Sequence, residues 1–183
     1  GPVPIHPFGV LVAAGTLVGS TLAVRRAVKR GLDAVKAEQF VTYILICGFI
    51  GAHVLDLLMY RPLETLRDPL QLIYVWRGIG SFGGFVGAIV GLVLWRRKTK
   101  AIALPYADQV AAVFPISWLF GRSGCTLAHD HVGRLSDSVL AFNFPPGMYH
   151  PSGPRLDLGF LELLFTIPIA VTMLAYASKP RRS

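Results

Sequence analysis

Charge is scarce in this 183-residue chain, with only 15% of residues Asp, Glu, Lys or Arg. Soluble domains carry about 25%, so an ordinary water-exposed domain is excluded. Cysteine is nearly absent too. Cys47 and Cys125 are the only two, and they fit neither a disulfide framework nor a paired-cysteine metal motif. The long apolar stretches lack the alternation of half-buried strands. No RNA- or DNA-binding motif is present, although the net charge is +8. The basic residues sit in short blocks at the ends of apolar runs, as topology determinants do. An anionic lipid surface is therefore the simpler partner, and no nucleic acid is expected.

Apolar residues make up 53% of the chain and the mean hydropathy is +0.54. Five apolar runs fall at about 7–24, 40–60, 72–95, 101–120 and 157–177. Each approaches the 20 or so residues that a helix needs to cross about 30 Å of hydrocarbon. The sequence predicts an all-α polytopic membrane protein with about five transmembrane helices in a single domain over 1–183. Basic blocks follow the first, third and fifth runs: "RRAVKR" (25–30), "RRKTK" (96–100) and "KPRRS" (179–183). The positive-inside rule makes that side cytoplasmic. The N-terminus is then outside, the C-terminus is inside, and 121–156 is an irregular polar loop on the outer side.

The lysines (Lys29, Lys36, Lys98, Lys100 and Lys179) all fall on the inner side. The basic residues assigned outside are all arginines: Arg61, Arg67, Arg77, Arg122, Arg134 and Arg155. Guanidinium binds phosphate bidentately and tolerates partial desolvation better than ammonium. The histidines (His6, His53, His129, His131 and His150) map to the outer half as well. The third run is the weakest crossing: glycines at 80, 84, 87 and 91 recur every three to four residues, a spacing that lets helix backbones approach closely, and the alternative is a broken or partly re-entrant start, tolerated only where it lines a cavity.

The densest polar cluster is "GRSGCTLAHDHVGR" (121–134). Cys125 and His129 are i, i+4 neighbours on a helical turn and could act as nucleophile and base, with Asp130 as base or as orienter of a histidine. The competing reading of Cys125 is a small, inert buried residue. His129 and His131 flank Asp130 and point the same way in an extended segment. With His53, Asp56 or His150 they could surround a metal. No recognised zinc spacing is present, and neither metal nor cofactor is expected. "NFPPGMYHPSGPR" (143–155) reads as a rigid loop that could cover the site.

These residues carry a resemblance to the prolipoprotein diacylglyceryl transferases, bacterial membrane enzymes that move a diacylglyceryl group from phosphatidylglycerol to a lipobox cysteine. The family signature has the form G-R-x-G-N-x-x-N-x-E-x-x-G-R. Gly121, Arg122, Gly124, Gly133 and Arg134 match it without gaps, and Asp130 falls on or next to the expected acidic position. Weaker echoes run in the family's order: "HPFG" (6–9), "GAHVLDLLMY" (51–60), "GIGSFGGFVGA" (78–88) and "HPS" (150–152). The departures are specific. Phe82 replaces the histidine before Gly-Gly, Cys125 the asparagine after Arg-x-Gly, His53 the second-helix arginine and Phe8 a tyrosine. "GPRLDL" follows "HPS" where the family has "QLYE". The chain is short for the family and is expected to lack an outer head region and two crossings.

The resemblance implies a transferase of the bacterial inner membrane, with its active face on the periplasmic or outer side. It implies that Arg122, Arg134 and Arg155, with His150 and His53, bind a phospholipid with an anionic head group. Cys125, His129, Asp130 and His131 are the candidate catalytic residues, and the acceptor is a protein or a small molecule. The alternative is a homologue that binds lipid without catalysis, or one that forms a thioester through the Cys/His pair.

Overall fold

The computed structural model describes residues 7–74, 78–145 and 147–178. His6, Arg77 and the basic tail from Lys179 lie outside the described residues. The chain is mostly helical. The long helices are α1 (Pro7–Lys29), α2 (Ala34–Tyr60), α4 (Ser81–Thr99), α5 (Leu104–Ala128) and α6 (Leu158–Ser178). A short helix α3 (Pro62–Arg67) and a 3₁₀ turn (Pro69–Ile73) precede α4. Among the described residues α1, α2, α5 and α6 are long and apolar enough to cross a membrane. Among the described residues of the third apolar run, α-helix begins at Ser81, with α4. Arg96, Arg97 and Lys98 fill its last turn.

The expected loop over 121–156 is corrected in two ways. Residues 121–128 complete α5. The remainder contains a three-stranded antiparallel sheet, β1 (Val132–Leu135), β2 (Ala141–Phe142) and β3 (Arg155–Asp157), with β3 in the centre. Gly121 and Gly124 lie within this helix although glycine is a poor helix former. Gly124 earns its place by packing: a Cβ there would meet Phe8 Cδ2 at 2.8 Å.

The chain divides into two compact units, one of residues 23–109 and one of 1–22 with 110–183. In the first, α2 and α4 pack backbone to backbone. Gly83, Gly87 and Gly91 are buried, and each faces a carbonyl of α2, from Gly51, Cys47 and Tyr43 respectively. The seam therefore follows a strict four-residue repeat, not the 80/84/87/91 stripe expected from the spacing. Gly84 lies beside it, where a Cβ would stand 3.8 Å from Ala52 Cβ, an ordinary contact. Small residues allow the close approach that dispersion and weak Cα–H···O contacts reward in lipid.

At one end of this unit Trp95 is fully buried. It stands edge-on to Phe40 (4.9 Å between centroids) and Tyr106 (5.0 Å). Toward the other end, the segment before α4 is tied to α2. The Gly80 N–H donates to Ala52 O (3.0 Å), and the His53 ring nitrogens face the carbonyl oxygens of Gly78 (3.2 Å) and Gln71 (3.1 Å). Asp56 accepts from Arg61 Nη2 at 2.6 Å. In the second unit α1 meets α5 through Gly15 and Gly19, which face Phe120 and Ser117.

Gly87→Leu is expected to force the α2–α4 seam apart and to cost about 1–3 kcal/mol or more, as overpacking does. Gly84→Ala should be neutral or slightly stabilising, because alanine is favoured over glycine in a helix interior by about 1 kcal/mol. Thermal unfolding of the two variants in detergent checks the contrast. Equal stability of both would disprove the register.

Candidate functional site

The site is built on the last two turns of α5, the turn after it, and the start of α6. Arg122 leaves α5 with its side chain only 15% exposed. Its Nε donates to Glu162 Oε1 on α6 at 3.0 Å. The guanidinium carbon lies 4.8 Å from the Trp118 ring centre, and Trp118 Nε1 donates to the same Glu162 oxygen at 3.0 Å. One carboxylate thus fixes both the arginine and the ring it rests on. A guanidinium carries five N–H donors. Nε is committed to Glu162, Nη1 approaches Cys125 Sγ at 3.9 Å, and further Nη donors remain.

Glu162 was missed by sequence reasoning, which looked for the family's "QLYE" directly after "HPS". The usable signal was a single carboxylate inside an otherwise apolar helix, "LGFLELLF" (158–165), a functional candidate by default in a membrane segment.

Asp157 was also missed. It is fully buried and has two engagements. Oδ1 accepts the Phe160 N–H at 3.0 Å, which makes Asp157 the N-cap of α6. Oδ2 accepts from His129 Nδ1 at 2.5 Å. A carboxylate only accepts, so Nδ1 carries the hydrogen and Nε2 is left as the basic nitrogen. His129 terminates α5 in the left-handed region (φ 49°). Its ring sits between Phe142 (5.2 Å) and Phe144 (5.5 Å). The geometry is a histidine oriented by a buried acid within an aromatic wall.

The chain reversal at His129 brings Asp130 and His131 back onto α5. Ligand-type atoms of Cys125, Asp130 and His131 lie within 4.8 Å of one another. His131 Nδ1 and Asp130 Oδ1 are 2.5 Å apart. Cys125 is buried, and its Cβ would be 3.1 Å from a Cβ on Gly159. His131 O accepts the Leu158 N–H at 2.8 Å, which pins the turn to the start of α6.

The other expected residues are placed as follows. Arg155 on β3 is spent on backbone: Nη1 donates to Gly133 O (3.2 Å) and Nη2 to Pro151 O (2.9 Å). Arg134 is exposed on β1. His150 is exposed in the turn before β3. His53 belongs to the unit of residues 23–109 and serves the backbone contacts described above. Gly133 of the signature lies where β1 presses on β3, and a Cβ there would meet Leu156 O at 3.0 Å. Phe82, where the family histidine was expected, is exposed.

Together these features describe a multi-pass helical membrane protein with a polar, arginine-centred site at the ends of two apolar helices. Comparison with known proteins agrees. The profile of the prolipoprotein diacylglyceryl transferase family matches residues 1–182. A phosphatidylglycerol–prolipoprotein diacylglyceryl transferase of Francisella tularensis subsp. holarctica is 30% identical over 180 residues, covering 94% of this chain and 67% of the relative. The enzyme of that name from Escherichia coli O1:K1 is 32% identical over 167 residues, covering 88% of this chain and 55% of the relative. The chain therefore belongs to the prolipoprotein diacylglyceryl transferase family. It spans about two thirds of the length of the first relative and about half that of the second.

Asp157→Ala is expected to lower stability by about 1–3 kcal/mol, because a helix cap and a buried hydrogen bond are lost together. Asp157→Asn keeps the cap oxygen and should cost less. Chemical denaturation followed by circular dichroism measures both, and an Asp157→Ala variant as stable as the parent would refute the buried cap.

Proposed function

We propose that this chain is a membrane-embedded transferase that moves a diacylglyceryl group from a phosphatidylglycerol-like lipid to an acceptor thiol on a protein. The observation that carries this is Arg122, held rigid and part-desolvated by Glu162 and Trp118 with donors to spare. Moving a diacylglyceryl group means breaking the bond between a glycerol carbon and the phosphate oxygen. The phosphate leaves with the distal glycerol and gains negative charge as it departs. A preorganised guanidinium in a water-poor site stabilises such charge far better than solvent does.

The acceptor thiol must lose its proton as the new S–C bond forms. His129 is the proposed base. Its Nε2 takes the proton while Asp157, fully buried against Nδ1, stabilises the resulting imidazolium. This supplies a base in a chain that has phenylalanine at position 82. Phe142 and Phe144 flank the imidazole and fix its ring plane, while the 41% of its side chain that stays open leaves room for the acceptor.

For the orientation in the membrane, we take the basic blocks after α1, after α4 and at the C-terminus to be cytoplasmic. With α4 as a fifth crossing, the end of α5 and the small sheet face the outer side of a bacterial inner membrane. There they meet the anionic head group of the donor lipid and the acceptor.

The test is reconstitution into phosphatidylglycerol vesicles with a peptide bearing a single cysteine in a lipobox. Mass spectrometry then reads the gain of one diacylglyceryl group. Arg122→Ala should lower turnover by about 10²–10³-fold, the scale of a lost charge-stabilising donor. His129→Ala should lower it by about 10²–10⁴-fold, the scale of a lost general base. A parent protein inert toward phosphatidylglycerol, or an Arg122→Ala variant with full turnover, would overturn the assignment.

A further inference from the structure

The transfer reading uses Arg122 and His129 and leaves Cys125, Asp130 and His131 without a task. We infer that these three residues form a binding site for a zinc-type divalent cation. The donor set is one sulfur, one imidazole nitrogen and one carboxylate oxygen, a combination that zinc accepts readily. The three donor atoms converge within 4.8 Å. Ligands on a tetrahedral zinc are about 3.5 Å apart, so closure requires a shift of about 1 Å. Asp130 and His131, with side chains 44% and 47% exposed, are free to make it.

The backbone is fixed where the site needs it. Gly159 wedges against Cys125, and the Leu158 N–H holds the His131 carbonyl at 2.8 Å. These contacts favour a ligand over a nucleophile for Cys125. An attacking thiol has to reach its substrate, whereas this sulfur is buried and faces the two exposed donors. Arg122 Nη1 lies 3.9 Å from the same sulfur and is paired with the Glu162 carboxylate, so an incoming ion meets two anionic donors beside a cation that already has a counter-charge. On binding, the thiol proton passes to solvent, the sulfur binds as thiolate and the imidazole binds in its neutral form. The Asp130–His131 hydrogen bond is exchanged for bonds to the ion. Three protein ligands leave a fourth position on the open side of Asp130 and His131, the arrangement of zinc sites that accept an exogenous ligand.

The experiment uses the full chain, free of purification tags, in detergent with Co²⁺ as the only added ligand. The expected result is a thiolate-to-cobalt charge-transfer band that saturates at one ion per chain and is displaced by Zn²⁺. Cys125→Ser should abolish the band, and Cys47→Ser should leave it intact. Asp130→Asn and His131→Ala should each weaken binding by roughly 10–100-fold or more, with unchanged circular dichroism. Absence of the band in the parent protein would overturn the inference. So would a band that survives Cys125→Ser, or affinity unaltered in both Asp130→Asn and His131→Ala. The readout needs neither lipid nor turnover, so its failure is separable from failure of the transferase reading.

Discussion

Asp157 is the carboxylate on which the site depends. It has no contact with solvent, and a buried charge is tolerated only when its oxygens are taken up by donors. One oxygen takes the Phe160 amide in the first turn of α6 and the other takes His129. Its backbone pairs with Val132 in the sheet. The side chain therefore sets the start of a membrane helix and the rotamer of a histidine, and the backbone of the same residue anchors the small sheet. Five residues further along the same helix, Glu162 repeats the device for Arg122 and Trp118. The two acids give α6 a polar stripe at its first turns, and that stripe organises the end of α5.

Much of the scaffold was legible because lipid imposes simple rules. A backbone in hydrocarbon must satisfy its own hydrogen bonds, so apolar runs of sufficient length become helices. The runs at 7–24, 40–60, 101–120 and 157–177 became α1, α2, α5 and α6, with ends shifted where charged residues extend the helix beyond the apolar part. The third run, the weakest crossing, departs from α-helix before Ser81 among the described residues, as its alternative reading allowed. "LIYVWRGIG" is apolar enough to read as helix, yet Gly78 adopts a positive φ, its carbonyl faces His53, and the Gly80 N–H is tied to the Ala52 carbonyl. Hydropathy does not register such tertiary ties.

The site was legible in its residues more than in its wiring. Arg122, Cys125, His129, Asp130 and His131 do assemble around the end of α5. Sequence periodicity paired Cys125 with His129 on a continuing helix, but the chain turns at His129 and pairs Cys125 with Asp130 and His131 instead. The pairings of Asp157 and Glu162 were invisible because their partners lie 28 and 40 residues away in sequence, as in His129–Asp157 and Arg122–Glu162. His53 illustrates the opposite error. A histidine in an apolar helix suggested a ligand, and it is met by two backbone carbonyls.

The seam of Gly83, Gly87 and Gly91 has a mechanical consequence. With no side chain between the two backbones, no acyl chain can wedge between α2 and α4, and the pair behaves as one stiff plank. α2 has 27 residues, or about 40 Å of helix against about 30 Å of hydrocarbon. Its apolar run at 40–60 is about 30 Å of that length and matches the hydrocarbon. Whatever inclination α2 takes in a bilayer of different thickness, α4 shares it.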